Sequence, residues 1–138
     1  MRIITGSAKG AKLKAPQGRD TRPTADRVKE SVFNILVDIV VDANVLDLFA
    51  GTGNLGLEAL SRGAKTAVFV DHGSESIGII KENAAHTKLI EQTEIYRNDV
   101  LRALDKFVQT NRSFDLLFCD PPYKKGFVQA ILEKLDKD

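Results

Sequence analysis

Asp120-Pro121-Pro122-Tyr123 directly follows the apolar run Phe114-Asp115-Leu116-Leu117-Phe118-Cys119. Proline lacks an N–H and fixes φ, so this pair ends strand pairing and holds the backbone extended. Such a corner aims the Asp120 carboxylate, the Pro121 carbonyl and the Tyr123 ring into one crevice. Two acceptors beside a stacking surface suit a planar group that carries an exocyclic NH2. An ordinary strand-ending turn uses the same residue types. The rest of the chain has to decide between them.

A second constellation lies upstream. Asp47-Leu48-Phe49-Ala50-Gly51-Thr52-Gly53-Asn54-Leu55-Gly56 closes one apolar run and opens a helical one. Gly51-x-Gly53-x-x-Gly56 fits the dinucleotide fingerprint, and Asp71 follows Gly51 by 20 residues, where a carboxylate can accept ribose hydroxyls. Asp47 argues against a dinucleotide, because a carboxylate at the mouth of the loop repels a pyrophosphate and attracts a cation. The G-x-x-x-x-G-K-[ST] loop of nucleoside triphosphate sites is absent from the sequence. S-adenosylmethionine has a ribose, an adenine and a sulfonium but no phosphate, and it is the better ligand. Asp99 follows a weaker strand and reads two ways: an acceptor for the adenine amine, or the N-cap of the next helix.

The elements that must position these groups alternate. Apolar spacing predicts strands over Val45–Phe49, Ala67–Val70, Glu94–Arg97 and Phe114–Cys119. Helices are predicted over residues 24–38, with Thr24 as N-cap, and over Leu55–Arg62, Ser74–Ala84, Val100–Gln109 and Phe127–Leu135, with Ser74 capping the third of the five. Residues 2–5 and 11–15 suggest a small β-hairpin. Strands alternating with helices imply an α/β fold with a parallel sheet covered on both faces. Asp47, Asp71, Asp99 and Asp120 then stand in register at the carboxyl ends of four strands, where open α/β sheets bind ligands. The strand before Asp120 is apolar on both faces yet has no later neighbour in the chain, so an edge is left uncovered. The N-terminal segment, another subunit or the rest of a longer protein would cover it, and the last is the expectation here.

Composition bounds the rest. The 138 residues are 43% hydrophobic and 28% charged, as in a one-domain globular protein, with neither a signal-like segment nor an apolar stretch long enough for a bilayer. The single cysteine, Cys119, excludes a disulfide framework, disfavours zinc, and reads as a small buried hydrophobe in a cytosolic protein. His72 and His86 read as surface residues without a role. Net charge is +1, but residues 1–30 hold eight Lys/Arg against three acids, so the remainder carries −4. A basic end on a slightly acidic body suggests an anionic partner or a solvated arm.

Together, Asp47-x-Phe49-x-Gly51-x-Gly53, Asp71, Asp99 and the Asp-Pro-Pro-Tyr tetrad resemble the motifs of class I S-adenosylmethionine-dependent methyltransferases. Arg2-Ile3-Ile4-x-Gly6, Gly10-x-Lys12-Leu13, Arg22-Pro23-Thr24-x-Asp26-Arg27-Val28-Lys29-Glu30-Ser31-Val32-Phe33-Asn34 and Leu57-Glu58-Ala59-Leu60-Ser61-Arg62-Gly63-Ala64 resemble the RsmD family. The resemblance implies a Rossmann-like sheet (residues 24–138) behind a basic hairpin arm (residues 1–23), with the C-terminal strands of the family missing. It further implies cytoplasmic methylation of guanine N2 in 16S ribosomal RNA or a small-subunit assembly intermediate, without a metal. Asp120, Pro121 and Tyr123 would be catalytic; Asp47, Phe49, Gly51, Gly53, Asp71 and Asp99 would hold the cofactor. Lys9, Lys12, Arg22, Arg27 and Lys124 would contact RNA phosphates. Three rivals share parts of this pattern: a DNA adenine-N6 methyltransferase, a protein glutamine methyltransferase, and a truncated module that binds cofactor or RNA without turnover.

Overall fold

The computed structural model describes residues 1–15 and 23–119. Four parallel strands form one sheet in the order β3-β2-β1-β4: β1 Asn44–Leu48, β2 Thr66–Asp71, β3 Thr93–Arg97 and β4 Leu116–Cys119. The helices are α1 Pro23–Ile35, α2 Val37–Val40, α3 Asn54–Ser61, α4 Ser74–His86 and α5 Val100–Gln109, with a 3-10 turn at Ile90–Gln92. Each strand and helix predicted within the described residues is present, with ends shifted by a few residues. The helix predicted over Phe127–Leu135 lies outside them.

Side chains alternate across a strand, so β1 and β2 build two different cores. On one face Val45, Ala67 and Phe69 pack with Phe33 of α1, Leu57 and Leu60 of α3, and Ile80 of α4. On the other, Leu46, Leu48, Val68 and Val70 meet Ala103, Leu104 and Phe107 of α5. Both faces are covered, which is why β1 and β2 read as nearly continuous apolar runs.

The N-terminal hairpin is reduced to a single antiparallel bridge, Arg2 with Lys12. Ile3 and Leu13 enter the α1/α3/α4 core, at 0% and 6% exposure. Gly6 is essential to this seat: its φ is +95°, and a Cβ there would lie 1.8 Å from the Ser61 carbonyl oxygen.

Several local expectations need correction. α1 begins at Pro23, because a proline costs no hydrogen bond in the first turn, so Thr24 lies inside the helix instead of capping it. Gly73, not Ser74, is the N-cap of α4; the backbone turns one residue earlier, held by the Gly73 N–H donating to Asp71 Oδ1. Cys119 is exposed, because β4 is the last strand of the sheet among the described residues and Cys119 is its final position. Asp47 pairs with Phe69 and Phe118, which places it one two-residue repeat deeper than Asp71 and not level with it.

Candidate functional site

The turn after β1 is bent by left-handed residues. Phe49 has φ 56°, and Gly51 and Gly53 follow at 61° and 80°. The Phe49 conformation costs about 1–3 kcal/mol for a non-glycine residue, and the surrounding bonds sustain it. The Ala50 N–H donates to the Val70 carbonyl at 3.1 Å, and the Gly53 N–H to the Ala50 carbonyl at 2.9 Å. Gly56 is required by proximity: a Cβ would meet the Phe69 ring at 2.3 Å.

Two carboxylates hold this loop. Asp47, 2% exposed, accepts the Gly56 N–H at 3.1 Å. Asp71, 8% exposed, accepts the Gly51 N–H on Oδ2 and the Gly73 N–H on Oδ1, both at 2.9 Å. Thus the Gly51 and Gly56 amides, which a pyrophosphate site would offer to its ligand, are occupied by carboxylates. The loop therefore fits a ligand with hydroxyls and a positive charge better than a phosphate.

Asp99 is exposed and caps α5, with Oδ2 accepting the Arg102 N–H at 3.2 Å. The Asn98 N–H donates to the Asp71 carbonyl at 3.0 Å, so the ends of β2 and β3 are tied together. His72 and His86 are exposed. The structure thus gathers Asp47, Phe49, Gly51, Gly53 and Asp71 at one loop, with Asp99 at the end of β3, the outermost strand on the side away from β4 among the described residues. Asp120, Pro121, Tyr123, Arg22 and Lys124 lie outside the described residues, as does the arm between residues 15 and 23.

Lys9, Lys12 and Arg27 are exposed, as is Arg2. Lys29, counted in the basic segment, is not available to a partner: it is 2% exposed and pairs with Glu58, itself 0% exposed, at 3.1 Å. Burial pushes the Lys29 ammonium below its ordinary value, against the opposing pull of Glu58. Glu58 is a hub that sequence reading missed. Its Oε1 also accepts the Ile4 N–H at 2.8 Å, while Oε2 accepts the Thr5 N–H at 3.1 Å and Arg62 Nε at 2.8 Å. The Arg62 guanidinium lies 4.9 Å from the centre of the Phe33 ring. Ser61 and Asn83, likewise missed, hold Ala8 and Lys14 of the hairpin. Their only signal was polarity at positions facing the core side of two helices.

A separate cavity of about 210 Å³ lies along β3 and α5, lined by Tyr96, Asn98, Lys106, Phe107 and Arg112 among others. The Arg112 guanidinium, paired with both Glu94 oxygens, holds that carboxyl down at about 2.

Comparison with known proteins settles the lineage. A family model described as "Conserved hypothetical protein 95" matches residues 1–138. The chain is 44% identical over 137 residues to YlbH of Bacillus subtilis, covering 99% of itself and 74% of that relative. The chain belongs to the RsmD family. Ribosomal RNA small subunit methyltransferase D of Escherichia coli is 36% identical over 136 residues, with 99% of this chain and 67% of that protein covered. Among solved structures, a Thermus thermophilus protein superposes with a TM-score of 0.85 at 29% identity, over 97% of this chain and 78% of that one. RsmD-family membership accords with the Rossmann-like sheet seen here.

Proposed function

We propose that this RsmD-family chain transfers a methyl group from S-adenosylmethionine to the exocyclic N2 of a guanine in 16S ribosomal RNA. One observation carries the cofactor half of this reading: the Gly51 and Gly56 amides are held by Asp71 and Asp47, which leaves a glycine loop suited to a cationic, phosphate-free ligand. The RNA half is supported by family membership, by relatives named ribosomal RNA small subunit methyltransferase D, and by exposed Arg2, Lys9, Lys12 and Arg27. A small-subunit assembly intermediate fits the same cations as well as free RNA does.

When bound, S-adenosylmethionine supplies an electrophilic methyl group on a sulfonium. Asp71 would hold the ribose hydroxyls with the oxygen lone pairs its two amide bonds leave over, and Asp99 would accept the adenine amine while still capping α5. Asp47, buried beneath the loop, would contribute negative charge toward the sulfonium, an interaction that its low-dielectric surroundings strengthen. Phe49, Gly51 and Gly53 shape the wall.

The guanine amine is a weak nucleophile because its lone pair is delocalised into the ring. Asp120 and the Pro121 carbonyl accept hydrogen bonds from its two N–H groups, favour a more tetrahedral nitrogen and stabilise the positive charge that develops there. The surplus proton leaves to solvent once the nitrogen–methyl bond has replaced the sulfur–methyl bond. Tyr123 stacks on a base splayed out of its helix. Alignment of the amine with the methyl group supplies the remainder. Lys9, Lys12, Arg22, Arg27 and Lys124 hold the flanking phosphates.

The test is transfer of a tritiated methyl group to small-subunit particles, naked 16S RNA and double-stranded DNA in parallel. Label at guanine N2 in RNA is expected, and its loss is expected in Asp120→Ala with cofactor affinity nearly unchanged. Label on DNA adenine or on protein glutamine would overturn the substrate. Cofactor binding without any transfer would leave a binding module.

A further inference from the structure

Two buried side chains each join the N-terminal hairpin to the glycine loop. Lys29 Nζ donates to the Arg2 carbonyl and to Asn54 Oδ1, both at 2.6 Å. Asn83 accepts the Lys14 N–H at 2.7 Å, and its Nδ2 donates to the Lys14 carbonyl at 3.0 Å and to the Thr52 carbonyl at 2.9 Å. Arg2 and Lys14 lie on opposite limbs of the hairpin, and Thr52 and Asn54 flank Gly53. Both bridging residues are 2% exposed, so water cannot take over bonds that break.

Mere attachment of the hairpin does not require these bridges. Ser61 Oγ accepts the Ala8 N–H at 2.9 Å and donates to the Thr5 carbonyl at 2.6 Å, while Glu58 accepts the Ile4 and Thr5 amides. Those bonds fasten the hairpin to α3 without touching the loop. The Lys29 and Asn83 bridges are additional, and both end on the two residues beside Gly53.

We propose that Lys29 and Asn83 are positioning residues that make the hairpin and the glycine loop one cooperative unit. RNA seated on Arg2, Lys9 and Lys12 and cofactor in the glycine crevice then each tighten the other's binding. The two ligands rest on the function proposed above; the mechanical joint does not. Because binding free energies are reciprocal, the same factor must appear in both directions.

The joint is tested without ligand by hydrogen exchange. Gly6→Ala drives a Cβ into Ser61 and releases the hairpin. Faster exchange is expected in segment 49–56 as well as 1–15, with segment 93–109 unchanged as the measure of an intact fold. If 93–109 also loosens, Ser61→Ala, which removes only the Thr5 and Ala8 bonds, takes its place. Release of the hairpin with no change in 49–56 overturns the joint.

The ligands are tested by titrating S-adenosylhomocysteine with and without a saturating 16S RNA helix. The wild-type dissociation constant is expected to fall about fivefold or more when RNA is present. Asn54→Ala cuts the loop end of the Lys29 bridge and leaves Lys29 on Arg2 and Glu58, so it should compress that ratio without altering RNA affinity in the absence of cofactor. Asn54→Asp keeps an acceptor for Lys29 and should restore the ratio. A wild-type ratio near one, or an unchanged ratio in Asn54→Ala, overturns the coupling. If neither ligand binds any variant, the function falls, while the exchange result still decides the joint.

Discussion

Asn83 pairs with Lys14 as one strand residue pairs with its neighbour. It accepts the Lys14 N–H at 2.7 Å and donates to the Lys14 carbonyl at 3.0 Å, from a helix 69 residues further along the chain. The hairpin, short of strand partners beyond its Arg2–Lys12 bridge, is completed by a side chain that imitates a backbone amide.

Asn83→Ala therefore strands the Lys14 amide and the Thr52 carbonyl as well as opening a small hole. A loss of about 2–3 kcal/mol is expected from buried groups left unpaired. Urea denaturation should show a lower midpoint with an unchanged slope. Asn83→Asp should do no better, since it turns a carboxylate oxygen against two carbonyls.

Gly56→Ala forces the buried Phe69 ring to move, because the new methyl stands 2.3 Å from it. Overpacking of this kind costs about 1–3 kcal/mol. Adding Phe69→Leu should recover part of the loss in thermal denaturation. No recovery would mean that the clash is relieved through the backbone.

Lys29→Met leaves Glu58 facing Arg62 alone in a buried site. Glu58 keeps Arg62 and the Ile4 and Thr5 amides, so the loss should stay below the roughly 3–5 kcal/mol of a buried pair left wholly uncompensated. Combining Lys29→Met with Glu58→Gln removes the Glu58 charge, so the double variant should lose less than the two single losses together. A double-mutant cycle measures the coupling, for which about 0.5–3 kcal/mol is the usual range of contacting residues.

The Glu94–Arg112 pair gives a pH signature. Glu94 is held at about 2 against an ordinary 4.5, chiefly by the Arg112 hydrogen bonds. Its folded value is depressed, so its contribution is complete above pH 4.5 and is lost as the pH falls toward 2. The Glu94 side chain is 40% exposed, and water reduces the effect to no more than about 1 kcal/mol. Glu94→Gln should flatten that part of the stability curve by lowering the neutral plateau by no more than about 1 kcal/mol, with the two proteins converging as the pH nears 2.

Asp71→Asn keeps one acceptor and replaces the other by a donor that faces a backbone N–H. The loop loses either its Gly51 or its Gly73 bond. Affinity for S-adenosylhomocysteine by calorimetry should fall about tenfold, the equivalent of roughly 1.4 kcal/mol for one hydrogen bond to a charged acceptor. An unchanged affinity would remove Asp71 from the cofactor site.

Most local signals survived the passage from sequence to structure, the caps at Thr24 and Ser74 excepted. Asp99 was legible as a cap because a cap needs only the few residues after it, and the Arg102 amide duly finds Oδ2. The glycine loop and the strand alternation were legible for the same reason: period and turn chemistry are short-range. Glu58 was not. In a helix of mixed polarity it looks like a solvated glutamate, and its burial depends on Lys29, Ile4 and Thr5 arriving from elsewhere in the chain. Ser61 and Asn83 were hidden in the same way. Cys119 failed for a related reason, since apolar neighbours in a strand do not reveal that the strand is the last of the sheet among the described residues.

The seating of the hairpin also sets an order of events during synthesis. Ile4 and Thr5 bond to a residue 53–54 positions downstream, and Lys14 to one 69 positions downstream. Residues 1–15 are thus obliged to wait, with their basic side chains unattached, until α3 and α4 have been made. A chain stopped before Asn83 would hold the Ile4–Ala8 limb on α3 but leave the Lys14 limb unpaired on an unfinished sheet.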